Sequence, residues 1–247
     1  MNPESELLLI DKPFGVTSYD VIRFLKREYR EAGHPKIKIG HAGTLDPRAT
    51  GLLLIGLGKM TKSLTGLLGK SKVYEAEILL GKQTTTDDLE GEVTAEADAS
   101  GLANEEISKK LQTLAGEQEI AVPVYSAIKR GGKTLYKQAR KAETKFGSDE
   151  SSDSVIEALK NIEVPVKTMS VVSANLGQIE RKDSEIFVRV VFDVGSGAYI
   201  RSLARELGDR LGVPATLSAL RRTSIGDYKV QDARTISTEE VKEKYKT

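Results

Sequence analysis

Apolar residues that recur every three or four positions predict three helices in the 247-residue chain. The first begins at a Thr17-Ser18 cap and ends at Gly33, and the last ends at Gly212. Between them, a helix is predicted over 104–114. The apolar positions are Val21, Ile22, Leu25 and Tyr29, then Ile107, Leu111 and Leu114, then Ile200, Leu203, Leu207 and Leu211.

Strands are predicted where apolar and polar residues alternate, or where a short run is apolar throughout. These segments are 7–10, 36–39, 52–57, 72–80, 164–179 and 185–194. A stretch rich in Ser and acidic residues over 144–153 predicts an exposed loop. Because strands and helices interleave without a strict strand-helix-strand rhythm, the pattern predicts an α+β fold.

Composition narrows the classes of protein to consider. The chain has no Cys, which excludes a disulfide framework, a Cys-based zinc site and a thiol nucleophile. No run approaches the ~20 apolar residues of a membrane-spanning helix. The N-terminus is acidic ahead of a short apolar run, unlike a secretory signal. We therefore expect a cytoplasmic protein without membrane contact.

The common cofactor motifs are also missing. GLGKMT over 56–61 departs from the phosphate-loop pattern, and no Gly-x-Gly-x-x-Gly opens a strand-helix turn. With two histidines and no Cys, the sequence shows no metal-ligand spacing, and no Ser lies in a nucleophile elbow. An enzyme of this sequence is expected to use carboxylates, with no cofactor and no metal.

Positive charge is concentrated locally, although the net charge is only +1. The segment 129–141 holds six basic residues and no acidic one. A looser basic group comprises Lys26, Arg27, Arg30, Lys36 and Lys38. Such groups either bind nucleic-acid phosphates or form a solvated face, and their composition does not decide between the two.

The segment 40–51, GHAGTLDPRATG, offers a candidate nucleophile in Asp46. Pro47 biases Asp46 away from helical geometry, and the glycines allow another molecule to approach the backbone closely. A carboxylate on a rigid loop between two strands is suited to nucleophilic catalysis. Asp-Pro is also a common helix start, so a capping role for Asp46 is the alternative.

A second candidate segment leads from a predicted strand into the last predicted helix. It places Tyr199 and Arg201 in the first helical turn. Arg is unfavourable there because the helix dipole is positive at its N-terminus, so a carboxylate partner is expected. The alternative is a surface Arg that lies along its own helix.

Together these segments resemble the bacterial tRNA pseudouridine-55 synthase family over about residues 7–235. GHAGTLDPRATG is similar to the catalytic motif of that family and is the most specific match. The other similar segments are Asp11-Lys12-Pro13-x-Gly15-x-Thr17-Ser18, Lys72-Val73-Tyr74, Leu80-Gly81 through Gly91, Val122-Pro123 with Tyr125-Ser126-Ala127-x-Lys129, Gly132-Lys133-x-Leu135-Tyr136, Ala139-Arg140, Gly197-x-Tyr199-Ile200-Arg201-Ser202-Leu203 and Leu220-Arg221-Arg222.

The resemblance implies a fold and an activity. The fold is that of pseudouridine synthases, with a mixed, largely antiparallel central sheet flanked by helices in a single catalytic domain over 1–247. An inserted thumb over about 124–150 is implied to grip RNA. The implied reaction converts a uridine in the T-loop of tRNA to pseudouridine after the base is flipped out, without a cofactor.

The resemblance also implies residue roles. Asp46 is the nucleophile, attacking the sugar C1′ or the base C6, and Arg201 pairs with its charge. Tyr74 stacks on the flipped uracil, and its hydroxyl helps to remove the C5 proton. The substrate-binding residues implied are His41, Tyr199, Leu220, Lys129, Lys133 and Arg140. Core packing is the alternative for Tyr74 and Leu220.

Two departures from the family affect the expected partners. The stretch 145–163 is longer and more acidic than expected, which leaves the end of the insertion open. The chain stops soon after Arg234, where many members carry a further RNA-binding domain, so contacts with the T-arm alone are expected.

Neither a guide RNA nor an obligate protein partner is expected, because the basic insertion is typical of stand-alone enzymes. One alternative is the catalytic subunit of a guide-RNA-dependent ribonucleoprotein. Another is a non-catalytic RNA-binding module, against which an intact Asp46 argues.

Overall fold

The computed structural model describes residues 4–146, 152–183 and 185–243. The chain divides into two units, each assembled from segments that are not consecutive in sequence. Unit 1 comprises Met1–Glu75, Asp193–Ser196 and Ala219–Thr247, and unit 2 comprises Ala76–Phe192 and Gly197–Ser218.

The described residues form seven α-helices, each of which buries at least one apolar side chain. They are α1 Ser18–Glu31, α2 Leu64–Leu68, α3 Asn104–Gln112, α4 Leu135–Phe146, α5 Ser152–Lys160, α6 Ile200–Leu211 and α7 Thr238–Glu243. Two short 3-10 helices span Lys59–Lys62 and Val230–Asp232. No helix in the described part of the chain is long and apolar enough to cross a membrane.

Most strands belong to one mixed sheet, and four short ones form two separate hairpins. The strands are β1 Ser5–Lys12, β2 Ile39–Ala42, β3 Thr50–Gly58, β4 Lys72–Leu80, β5 Lys82–Thr84, β6 Val93–Glu96, β7 Gly116–Ala121, β8 Lys129–Arg130, β9 Lys133–Thr134, β10 Val166–Lys182, β11 Glu185–Val194, β12 Ala215–Ile225, β13 Tyr228–Lys229 and β14 Arg234–Thr235. Pairing is parallel for β1 with β14 and for β3 with β12, and antiparallel for β1 with β3 and β10 with β7. The predicted α+β class with a mixed sheet is confirmed.

In unit 1, strand β3 is buried on both faces, which explains its uninterrupted apolar run. Leu53, Ile55 and Leu57 join a cluster with the buried face of α1. Leu52 and Leu54 point the other way, into a second cluster. β1 pairs with β3 along its whole length, from Ser5 opposite Gly58 to Lys12 opposite Gly51.

In unit 2, the sheet follows the order β4-β11-β10-β7. Every second residue of β11 is buried, as expected for a strand with one face in the core. Helices α3 and α6 pack against each other, α3 against β10 and α6 against β7. The hairpins β5-β6 and β8-β9 also belong to this unit.

Several local predictions are confirmed. Thr17 caps α1 in a capping box with Asp20, and Gly212 ends α6 in the left-handed conformation. Strand β4 has the predicted bounds. Helix α3 lies within the predicted 104–114.

Two predictions were wrong in part. Residues 36–38 are not a strand, because pairing with β3 begins only at Ile39, opposite Leu57. The predicted loop over 144–153 is partly helical, since α4 extends to Phe146 and α5 begins at Ser152. Residues 147–151 lie outside the described residues.

Candidate active site

The loop that carries Asp46 joins β2 to β3 in unit 1 and is fixed on both sides of this residue. The Ser18 hydroxyl accepts a hydrogen bond from the Leu45 amide at 2.9 Å and donates one to the Leu45 carbonyl at 3.1 Å. On the other side, the Gly15 amide donates to the Pro47 carbonyl at 2.9 Å. The Asp46 carbonyl closes a turn onto the Ala49 amide rather than starting a helix. The helix-capping alternative for Asp46 is therefore wrong.

A buried lysine places positive charge beside this loop. The Lys12 side chain is fully buried, and its ammonium donates to the carbonyls of Val16 at 2.7 Å, Pro13 at 2.9 Å and Pro47 at 3.3 Å. Burial lowers the pKa of Lys12 to about 8, and the nearby Asp46 carboxylate opposes that shift. Lys12 thus places a positive charge near Asp46 and also holds the backbone that carries it.

Arg222 is another buried cation of unit 1, and it ties the start of the loop to the sheet. It is 1% exposed, and its guanidinium donates to the carbonyls of Leu52 at 2.8 Å and Gly43 at 3.0 Å. β12 approaches β3 so closely here that a Cβ on Gly51 would lie 2.2 Å from the Arg222 carbonyl oxygen. Gly51 also has φ +101°, a conformation that side chains disfavour.

His41 lies on β2, directly before the loop. Burial and the Arg222 charge lower its pKa, so the imidazole is neutral at neutral pH. Its buried Nδ1 has no hydrogen-bond partner among the described residues.

Two further predicted site residues of unit 1 lie on strands. Tyr74 is buried on β4 with 8% exposure. Leu220 is half-buried on β12, and its carbonyl accepts from the Thr50 hydroxyl at 3.5 Å. These positions fit both core packing and a pocket wall.

In unit 2, Arg201 is held in the first turn of α6, where the sequence placed it. It is 8% exposed and donates to the carbonyls of Thr86 at 2.9 Å and Tyr125 at 3.0 Å. Its Nε lies 3.9 Å from the Asp88 carboxylate, which is a carboxylate partner of the kind that the helix dipole argument requires. The alternative of a surface Arg is therefore wrong. Tyr199 is the N-terminal cap residue of the same helix.

Beside this site lies a partly buried ion pair that the sequence did not predict. Arg205 pairs with Asp87, and it also donates to the Ala121 carbonyl at 2.7 Å. Burial raises the pKa of Asp87 to about 6, although Arg205 and Arg201 oppose the shift. Asp87 has φ 59°, so the turn before Asp88 is held in a strained conformation.

The predicted thumb consists of the β8-β9 hairpin and α4, whose predicted end at residue 150 lies outside the described residues. Lys129 and Lys133 are exposed on the hairpin, and Arg140 is exposed on α4, where Leu135 and Ala139 are buried. Two cations of the basic run have carboxylate partners. Arg130 pairs with Glu163, and Arg140 lies 3.9 Å from Glu143.

Sequence reasoning missed the supporting roles of Lys12, Ser18 and Arg222. All three belong to segments that the family resemblance had singled out, but only their burial shows what they do. A Lys or Arg is seldom fully buried without partners, so the burial of Lys12 and Arg222 indicates a role. That burial is visible only in the folded structure and not in the residue type. In the described part of the chain, no group of three His or acidic residues is arranged to hold a metal.

Comparison with family models gives two matches along the chain. The model of the TruB family pseudouridylate synthase N-terminal domain matches residues 29–200. The model of the tRNA pseudouridylate synthase B C-terminal domain matches residues 201–247. Together they cover every predicted site residue.

Relatives named tRNA pseudouridine synthase B align with most of the chain. The protein from Leifsonia xyli subsp. xyli is 41% identical over 237 residues, which are 95% of this chain and 71% of the relative. That from Corynebacterium efficiens is 38% identical over 229 residues, which are 93% of this chain and 70% of the relative.

Solved structures support the same fold. A chain of a Cbf5-Nop10-Gar1 complex aligns with a TM-score of 0.65 and 26% identity, covering 96% of this chain and 54% of that one. A chain of an H/ACA ribonucleoprotein bound to a substrate RNA aligns with a TM-score of 0.60 and 24% identity, covering 94% of this chain and 51% of that one. This chain thus spans about half the length of these two structural neighbours.

Proposed function

Since the chain belongs to the TruB family of pseudouridylate synthases, we propose that it isomerises a T-loop uridine of tRNA to pseudouridine, with Asp46 as the nucleophile. The family resemblance and the fold expected from it are confirmed by these comparisons. One observation carries the choice of Asp46. Hydrogen bonds at Leu45 and Pro47 fix the backbone on both sides of this carboxylate, and the buried Lys12 places a positive charge near it.

The reaction needs a carboxylate and no external group. In one route, an Asp46 oxygen bonds to C1′ and the N1–C1′ bond breaks, its electron pair leaving with the uracil. The uracil turns, and C5 bonds to C1′ and displaces the carboxylate. Loss of the C5 proton and gain of a proton at N1 leave the composition unchanged. In the other route the carboxylate adds first to C6, and both routes require an ionised Asp46.

The remaining site residues are proposed on their motifs. Tyr74 stacks on the flipped uracil, Arg201 supplies positive charge, and Tyr199 and Leu220 form the wall of the pocket. His41 contacts the T-loop beside the flipped base, which is proposed from its position on β2 directly before the Asp46 loop. Flipping a loop base costs roughly a few kcal/mol, which contacts with the rest of the hairpin must offset.

Lys129, Lys133 and Arg140 are proposed to bind phosphates of the T-arm. They are exposed on the thumb, where a phosphate backbone can reach them. No guide RNA or protein partner is proposed, because this chain is 41% identical to a tRNA pseudouridine synthase B and only 26% identical to a chain from a Cbf5-Nop10-Gar1 complex.

The direct test mixes the purified chain with an unmodified tRNA transcript and no other protein or RNA. Pseudouridine is expected at one T-loop position with multiple turnover, and none in a control transcript with cytidine at that position. Conversion that requires added RNA and proteins would point to the ribonucleoprotein alternative. Tight binding without conversion would point to a non-catalytic module.

A further inference from the structure

A cleft of about 630 Å³ lies in unit 1 at the end of the sheet away from the Asp46 loop. Its lining includes residues at Glu4 and Gly58, where β1 starts and β3 ends. The Asp46 loop instead leads into Thr50 at the start of β3. Eight residues of β3 separate Gly58 from Thr50, and the four residues of β2 separate Lys38 from the other end of the loop. At ~3.3 Å per residue the cleft therefore lies roughly 15 to 25 Å from the loop.

Four lysines surround this cleft, and the fold brings them together from two segments. Lys36 and Lys38 precede β2, whereas Lys59 and Lys62 belong to the 3-10 helix after β3. They meet because β2 pairs with the end of β3, and the Gly58 amide donates to the Lys38 carbonyl at 2.8 Å. We call these four residues the distal lysines.

The positive charge of the distal lysines is not compensated within the described residues. All four are exposed, and none has a carboxylate within ion-pair distance in that part of the chain. In the same unit, Arg221 is paired with Asp11 and Arg234 with Glu28. Glu4 is the one acidic residue in the lining. The cleft therefore favours an anionic ligand.

The chemistry of the lining favours a phosphate backbone over a single small anion. Lysine ammonium groups are flexible point charges, whereas a site built for one phosphate typically uses bidentate arginines or converging backbone amides. Here the charges are spread over two segments, and Ile37 lies between Lys36 and Lys38 in the first of them. Repeated phosphates at variable spacing match such a surface.

We propose that the distal lysines bind the phosphate backbone of a tRNA segment outside the T-arm hairpin. The proposal rests on the proposed function, which places the T-loop at Asp46. A contact roughly 15 to 25 Å from the Asp46 loop lies beyond the reacting nucleotide and its immediate neighbours, on the rest of the tRNA. This surface also accounts for Lys36 and Lys38 in the looser basic group that the sequence showed.

The test compares the variant Lys36→Gln/Lys38→Gln/Lys59→Gln/Lys62→Gln with a control of equal charge change, Lys109→Gln/Lys160→Gln/Lys182→Gln/Lys229→Gln. The dissociation constant for full tRNA should rise about fivefold to tenfold in the first variant. Its plot of log K against log salt should flatten by about 3, since each of the four lost phosphate contacts removes ~0.7–0.9 of slope. This variant should convert an isolated T-arm hairpin at the wild-type rate. Such a result would also show that the variant is folded.

Three results would overturn the proposal. These are unchanged affinity for full tRNA, an equal loss on the hairpin, or the same loss in the control variant. Failure of the proposed function would look different, because the wild-type chain would then form no pseudouridine in either RNA while its binding could still be measured.

Discussion

Two buried cations, Lys12 and Arg222, decide how the Asp46 loop is held. Each donates to a backbone carbonyl of the loop. The hydrogen bonds that these charged groups would make with water are thus replaced by hydrogen bonds inside the protein. Removing such a group leaves buried acceptors unpaired, which costs about 1–3 kcal/mol. Both residues are therefore expected to act on stability as well as on the site.

The lowered pKa of Lys12 predicts a pH dependence. In the unfolded chain Lys12 keeps its proton up to about 10.5, whereas in the folded protein it loses it above about 8. Between these values the unfolded state binds more protons, so the contribution of Lys12 to stability rises with pH. The unfolding free energy of the wild type relative to Lys12→Met should rise by about 2 kcal/mol between pH ~7.5 and ~9.5.

Urea unfolding of both proteins across this range measures that difference. Lys72, whose pKa is also lowered to about 8, is present in both proteins and cancels in the comparison. A difference that stays flat or shrinks as pH rises would show that Lys12 is not the group concerned.

Gly51 gives a second prediction for a single residue, with a matched control. Gly51→Ala sets a Cβ 2.2 Å from the Arg222 carbonyl oxygen at positive φ, and should cost more than about 3 kcal/mol. Gly66 lies in α2, and a Cβ added there would meet no atom within 4 Å, so Gly66→Ala should stabilise by up to ~1 kcal/mol. Thermal unfolding midpoints that agree for Gly51→Ala and wild type would contradict the close approach of the strands.

Among the elements, the sequence predicted best those whose pattern is local. The bounds of β4 and the end of α6 at Gly212 follow from alternation and from the cap residue. The strand predicted over 36–39 begins only at Ile39. Residues 36–38 alternate because Lys36 and Lys38 are exposed while Ile37 packs on the core, and this pattern also fits a segment that is not a strand. The start of β2 is set by its pairing with β3, whose residues are distant in sequence, so the local pattern does not reveal it.

The candidate site divides in the same way. The motif around Asp46 and the position of Arg201 at the start of α6 could be read from the sequence. The roles of Ser18 and Lys12 could not, because each bonds to backbone that comes near only after folding. The contacts of Arg201 with Thr86 and Tyr125 are of the same kind.

The thumb supplies a prediction about an element. Lys133→Gln/Lys137→Gln/Arg140→Gln should weaken tRNA binding and flatten the plot of log K against log salt by about 2. Most of the effect should come from the two lysines, because Arg140 already lies near Glu143 in the free protein. Lys109→Gln/Lys160→Gln/Lys182→Gln serves as the control of equal charge change. An unchanged slope in the thumb variant would identify the basic run as a solvated face.

For the whole molecule, the account predicts how much of the tRNA is needed. In the proposed function, the Asp46 loop and the thumb bind the T-arm, and the distal lysines are proposed to add a limited contact beyond it. An isolated T-arm hairpin should therefore react with kcat/KM within about tenfold of full tRNA, or about 1.4 kcal/mol. A stem-scrambled strand should react poorly, since structured RNA is recognised by shape more than by sequence. A hairpin that reacts a thousandfold more slowly than full tRNA would show that recognition lies mainly elsewhere.

The central claim is that the Asp46 carboxylate performs the chemistry, and one substitution tests it most directly. Asp46→Asn keeps the shape of the side chain but removes the nucleophile, and Asp227→Asn makes the same change at an exposed position. Multiple-turnover pseudouridine formation should vanish in Asp46→Asn while tRNA affinity persists, and Asp227→Asn should match the wild type. Measurable multiple turnover by a clean Asp46→Asn preparation would contradict the account.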